Sequence, residues 1–225
     1  MDYTNKTVLV TGGSSGIGEA VLKEFAKKQP GRLFSFDIKD PEERIPKVNY
    51  AIVDISDGHA LLEAVSKIPK HPNYIDFVVN SAGVKEEETP EGIERMFQVN
   101  VKGTSNLLHI LRINFESNSI FVQISSERAL KLNEFIGYSS SKLAGALVAK
   151  SFAESVWNYR GAIKIVYPGP VDTPLFRRGK SEERINKIQP TKPEDLAKKI
   201  IELIESNKKV LRCLDDFPNW TYVLE

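Results

Sequence analysis

Short apolar runs and amphipathic stretches alternate along the whole chain. Lys6–Val10, Arg32–Asp37, Tyr50–Asp54, Ile75–Asn80, Ser119–Ser125 and Ala162–Tyr167 are rich in β-branched and aromatic residues. Such near-continuous apolar runs read as strands covered on both faces. Lys209–Leu214 extends the series from six strands to seven. Between the runs, apolar spacings of three and four mark helices over Glu19–Lys28, His59–Ile68, Glu91–Phe115, Ser139–Tyr159 and Pro193–Ser206. Ser56 or Asp57 caps the second helix. Thr89-Pro90 starts the third, and Thr191-Lys192-Pro193-Glu194 reads as a capping box for the last. One crossover is stunted: Ile38–Asn49 contains Pro41 and Pro46 and leaves room for a short helical turn at most.

Repeated strand–helix–strand units predict a parallel sheet with right-handed crossovers. The expected fold class is α/β: one doubly wound, Rossmann-like domain over residues 1–225, strand order 3-2-1-4-5-6-7, with a substrate lid near 175–190. In such a sheet ligands bind at the carboxyl ends of the strands, so the chemistry should lie just beyond each run.

It does. Thr11-Gly12-Gly13-Ser14-Ser15-Gly16-Ile17-Gly18 follows the first strand and opens the first helix. Outward-pointing N–H groups and the helix dipole make such a turn a phosphate seat. The glycine spacing is G-x-x-x-G-x-G, which differs from the better-known G-x-G-x-x-G. A nucleotide P-loop is excluded, because the lone Gly179-Lys180-Ser181 has Pro174 where its first glycine should stand. Asp37 ends strand two, at the distance where an acid hydrogen-bonds ribose hydroxyls and repels a 2′-phosphate. That favours NAD over NADP, with Lys39 and Arg44 softening the preference. Tyr138 and Lys142 are four apart at the start of a helix, so they share a face. An ammonium beside a phenol lowers its pKa and suits it to proton exchange with an alcohol or carbonyl. Ser125, just past strand five, could bond the same oxygen.

Composition removes competitors. The 225 residues carry a net charge of +1, which gives no reason to invoke nucleic acid. Cys213 is the lone cysteine, and His59, His71 and His109 are scattered without metal spacing. The polar N-terminus shows no signal-peptide pattern, and no apolar run approaches a membrane span, so a cytoplasmic location is expected. The lid stretch Leu175–Gln189 holds Arg177, Arg178, Lys180, Arg184 and Lys187 beside Glu182 and Glu183. It reads as a solvated face ahead of an anion site, and Glu86-Glu87-Glu88 reads as a solvated loop. Phe135, Ile136, Pro170, Leu175 and Phe176 could line an apolar pocket.

Taken in order, these motifs resemble those of the single-domain short-chain dehydrogenase/reductases over nearly the full length. The glycine loop is similar to T-G-x-x-x-G-x-G, Asn80-Ser81-Ala82-Gly83 to N-N-A-G, and Tyr138-Ser139-Ser140-Ser141-Lys142 to Y-x-x-x-K. Val99-Asn100-Val101-Lys102-Gly103 resembles the helix bearing that family's Asn. Pro168-Gly169-Pro170-Val171-Asp172-Thr173 resembles P-G-x-x-x-T, and Ser125 stands thirteen residues before Tyr138 as the family Ser does. The resemblance implies hydride transfer between a nicotinamide and a small alcohol or carbonyl. Tyr138 would be the acid/base, Lys142 would tune it and hold ribose, Ser125 would orient substrate, and Asn100 would hold a relay water. The implied cofactor-binding set is Gly12, Ser14, Ser15, Gly16, Ile17, Gly18, Asp37, Ile38, Asp54, Ile55, Asn80, Ser81, Ala82, Gly83, Tyr138, Lys142, Pro168, Gly169, Val171 and Thr173. No metal is implied, and a homodimer or homotetramer is.

Ser81 in place of the second Asn, the shortened crossover and the unusual tail Asp215–Trp220 depart from the family pattern. The competing reading is a catalytically idle dinucleotide-binding regulator on the same fold. A nucleotide-sugar epimerase fails on length and glycine spacing.

Overall fold

The computed structural model describes residues 1–69, 74–115, 118–131, 135–155, 161–214 and 221–225. His71, the tail 215–220 and the last part of the helix expected to reach Tyr159 lie outside them. Strands β1 (Thr7–Thr11), β2 (Arg32–Asp37), β3 (Val48–Ile52), β4 (Phe77–Asn80), β5 (Ile120–Ile124), β6 (Ala162–Tyr167) and β7 (Val210–Leu214) form a parallel sheet. An eighth strand, β8 (Thr221–Leu224), adds antiparallel to β7. The order is β3-β2-β1-β4-β5-β6-β7-β8, which is the expected one plus an edge strand.

Alternation along each strand divides the core in two. Val8, Val10, Phe77, Val79, Val122 and Ile124 pack on one face with α1 (Gly16–Lys27) and α9 (Pro193–Glu205). Leu9, Val78 and Phe121 pack on the other with α2 (Gly58–Ser66), α4 (Thr104–Leu111) and α6 (Ile136–Ser155). Both faces are covered, so the strands can be apolar throughout.

Three local features differ from expectation. The long third helix is α3 (Pro90–Phe97) and α4 joined by a π-turn over Gln98–Gly103, ending in a 3₁₀ turn at Arg112–Asn114. The capping box at Thr191 does not form: Lys192 is the N-cap and supplies no side-chain bond. Thr191 instead makes a parallel bridge to Val171, its N–H donating to Pro170 O at 2.9 Å. This ties the segment after β6 to the sheet's end. The connection after β2 holds no helix, as its prolines dictate. Edge strand β3 is left bare, with Ile52 67% exposed, beside a groove of about 430 Å³ lined by Phe34, Tyr50 and Ala64. Asp57, by contrast, caps α2 through His59 and Ala60 N–H, and Thr89 caps α3 through Gly92 N–H. The lid stretch folds as two short helices, α7 (Pro174–Arg177) and α8 (Glu182–Ile188).

Candidate active site

The glycine loop turns through left-handed backbone at Gly12 (φ 69°) and Gly16 (φ 59°). Close approach matters as much as φ. A Cβ on Gly12 would meet Ala82 N at 2.7 Å, and one on Gly18 would meet Gly12 O at 2.1 Å. One on Gly16 would lie 3.0 Å from Thr173 Cγ2. The loop after β1 is thereby pressed against the segments after β4 and β6. Ser15 is the N-cap of α1 with no side-chain bond, and Ile17 packs partly buried against the core. This fits a pyrophosphate seat, since the helix start keeps its backbone donors.

Asp37 Oδ2 accepts from Ser14 N at 2.9 Å, and Ser14 Oγ donates to Lys39 O at 2.7 Å. The acid at the end of β2 is therefore fixed to the loop. Ile38 beside it is 60% exposed. Arg44 is engaged elsewhere, with Asp40 at 2.6 Å and over the Tyr50 ring. Asp54 accepts from the N–H and hydroxyl of Ser56 and pairs with Arg95 at 3.0 Å. Burial opposes its ionisation, but these hydrogen bonds win and hold the carboxyl below its ordinary range.

Two residues assigned to the cofactor are committed to the protein. Asn80 is fully buried; its Oδ1 accepts from Thr11 Oγ1 at 2.6 Å, and its Nδ2 donates to Gln123 Oε1 and Thr104 Oγ1. Ile55 is a core side chain under Gly103. Each follows a strand, where spacing alone cannot tell an inward from an outward side chain.

Behind the strand ends lies a tight polar cluster. Asn100, in the π-turn, donates from Nδ2 to Val84 O and Ser141 Oγ, both at 3.0 Å, and accepts Val84 N–H at 2.9 Å. The local unwinding brings this residue to α6. A Cβ on Gly145 of α6 would lie 2.4 Å from Asn100 O, so glycine is required there. Lys142 is buried, and Nζ donates to Ile124 O at 2.7 Å. A Cβ on Gly83 would sit 3.2 Å from this Nζ. Burial pushes the Lys142 ammonium down to about 8.

Around Tyr138 the two serines after β5 are engaged differently. Ser125 Oγ donates to Lys142 O at 2.9 Å, so its hydroxyl is used in anchoring α6. The phenol of Tyr138 shares its hydrogen bond with Ser126, one residue further on. Both serines after β5 are buried, and it is Ser126, twelve residues before Tyr138, whose hydroxyl meets the phenol. The expected lowering of the Tyr138 pKa by Lys142 is also absent. Burial pushes the phenol above its ordinary value, and the bond to Ser126 and the charge of Arg128 bring it part of the way back.

Glu88 is the other residue that pattern reading missed. Its Oε2 accepts Gly137 N–H at 2.7 Å and its Oε1 accepts Tyr138 N–H at 3.2 Å. It caps the helix that carries Tyr138 and Lys142, where an anion is favoured. The residues just before α6 include no conventional cap in the described chain, and Phe135 takes φ 53°. Glu86 binds Arg178 at 3.1 Å, joining the loop after β4 to the lid. The acidic run is thus structural. Pro168 O accepts Glu127 N–H, Val171 is buried, and Thr173 Oγ1 caps α7 through Phe176 N–H. Gly169 lies between Pro168 and Pro170 in the same segment.

The model of the short chain dehydrogenase family matches residues 6–184, and the chain belongs to that family. Mouse L-fucose dehydrogenase is 27% identical over 188 residues, covering 77% of this chain and 68% of that protein. The solved aldohexose dehydrogenase of Thermoplasma acidophilum is 25% identical, with a TM-score of 0.79 over 89% of this chain and 87% of that one. ElxO, solved with NADP bound, is 26% identical with a TM-score of 0.80 over 92% and 96%.

Proposed function

We propose that this oxidoreductase interconverts a small secondary alcohol and its carbonyl with a nicotinamide dinucleotide, NAD in preference to NADP. The observation that carries the reading is the convergence of two groups behind one glycine loop: the Tyr138–Ser126 pair and the Lys142–Asn100–Gly83 cluster. The loop from Gly12 to Gly18 would hold the pyrophosphate, Asp37 and Ile38 the adenosine ribose, and Asp54 the adenine edge. Ser81, Ala82 and Gly83 would floor the site, and Pro168, Gly169, Val171 and Thr173 would meet the nicotinamide end. When bound, the nicotinamide supplies or accepts the hydride.

The chain handles the proton. Tyr138, with its raised pKa, is protonated at neutral pH and donates to a carbonyl oxygen during reduction. In the reverse direction it must lose that proton first, so alcohol oxidation gains as pH rises. Ser126 holds the substrate oxygen against the phenol. Lys142 holds ribose hydroxyls and feeds protons forward, with a relay water against Asn100. A homodimer or homotetramer in the cytoplasm goes with this reading. Aldoses belong in the first substrate panel, given the sugar dehydrogenases among the relatives.

Ser126→Ala is expected to lower kcat by about 10–100-fold. Ser125→Ala is expected mainly to lower stability by about 1 kcal/mol, through loss of a buried hydrogen bond. Paired kinetics and thermal melts check this, and the opposite ranking would return the role to Ser125. Asp37→Ala should lower the NAD/NADP ratio of kcat/KM by at least about tenfold, since it removes the repulsive carboxylate. An unaltered ratio would place the selector elsewhere.

A further inference from the structure

We propose that the substrate carries an anionic oxygen group, a carboxylate or a phosphate monoester, which Lys85 and Lys180 bind beside Tyr138, with the charge of Arg128 close by. This rests on the hydride-transfer reading, with Tyr138 at the reacting centre. The three cations come from three segments: the loop after β4, the start of helix α5 (Arg128–Lys131), and the lid. Lys85 Nζ lies 3.6 Å from the Phe135 ring centroid and 5.6 Å from that of Tyr138. Arg128 Cζ lies 5.0 Å from the same Phe135 centroid. Lys180 sits over Phe176 at 4.3 Å and donates to Phe176 O. Phe135 holds its ring in this position from a left-handed backbone that aromatic residues rarely adopt.

Among the described residues, five acids of this face are already engaged. Glu86 holds Arg178, Glu88 caps α6, Asp172 and Glu182 hold Arg177, and Glu127 holds Lys131. Half-buried Lys85 has no carboxylate partner among the described residues. Burial and the nearby charges of Lys180 and Arg128 loosen its hold on its proton, with Arg184 adding to them and Glu88 opposing. An anion would relieve this repulsion. The donor set also discriminates. Lys and Arg donate hydrogen bonds and accept none. A neutral polyol would leave its own hydroxyl donors unserved by them, whereas an anionic oxygen only accepts. The lid is therefore divided: Arg177 and Arg178 are braces, and Lys180 has no carboxylate partner among the described residues.

The test is calorimetric binding to the enzyme loaded with NADH. Glycerol 3-phosphate and lactate are compared with glycerol, a neutral polyol. Glycerol 3-phosphate or lactate should bind at least about tenfold more tightly, and whichever does names phosphate or carboxylate as the class. The preference should vanish in the double variant Lys85→Gln/Lys180→Gln and return in Lys85→Arg/Lys180→Arg. Equal binding of all three by the wild type, or a preference that survives the glutamine pair or is lost equally in the arginine pair, overturns the proposal. Failure of the wild type to bind NADH at all would instead overturn the hydride-transfer reading.

Discussion

Tyr138→Phe lowers the rate of carbonyl reduction by roughly three orders of magnitude while leaving NADH affinity within about twofold. The substitution removes one hydroxyl and keeps the ring. The ring's place near Lys85 is retained, and the lost bond to Ser126 costs about 1 kcal/mol of stability. The pH profile of the wild type follows from the same residue. Burial keeps the phenol protonated through neutrality, so reduction holds on the acid side and falls as pH rises. Oxidation shows the mirror slope. Stopped-assay rates with both variants across pH check this, and Tyr138→Phe retaining turnover would remove Tyr138 from the chemistry.

Lys142→Met is expected to be both inactive and more stable. The ammonium is buried and its pKa is pushed down to about 8 from an ordinary 10.5. A folded-state pKa below the unfolded one means that the unfolded chain holds the proton more tightly. The cost of burying the charge is therefore fully present below about pH 8 and is relieved as pH rises from there towards 10.5. That cost is on the order of 1–3 kcal/mol at neutral pH, after allowance for the bond to Ile124 O. The methionine variant keeps the apolar stem and escapes it, so its melting temperature should exceed the wild type's by several degrees at pH 7. The gap should narrow above pH 8. A methionine variant that melts lower at pH 7, or that turns over normally, contradicts the assignment of Lys142 as a functional charge held at the expense of stability.

Strand order was legible in the sequence because each apolar run was continuous and every crossover but the one after β2 carried its own helix. The missing helix after β2 was legible from Pro41 and Pro46 alone. Edge strand β8 was not, since Thr221–Leu224 is short and follows a polar tail. The π-turn at Gln98–Gly103 has no signature in hydrophobic spacing, and it sets Asn100 O against Gly145 of α6, a contact far apart in sequence. At the site, types and segments were readable but orientations were not. Asn80, Ile55 and Ser125 lie at or just past strand ends with side chains engaged by the protein, while Ser126, also buried, meets the Tyr138 phenol. Glu88 was hidden because the first N–H it accepts, that of Gly137, lies 49 residues away. The lid charges could not be sorted into braces and free cations until their partners were known.

Reduction of a panel of aldoses, short ketones and oxo acids with nicotinamide deuterated at the transferring position tests the central claim most directly. The account predicts deuterium on the carbinol carbon of the product with the wild type and no product with Tyr138→Phe. NADH or NADPH that binds but is never oxidised across the panel, or product that carries no deuterium, contradicts hydride transfer and favours an idle dinucleotide-binding protein.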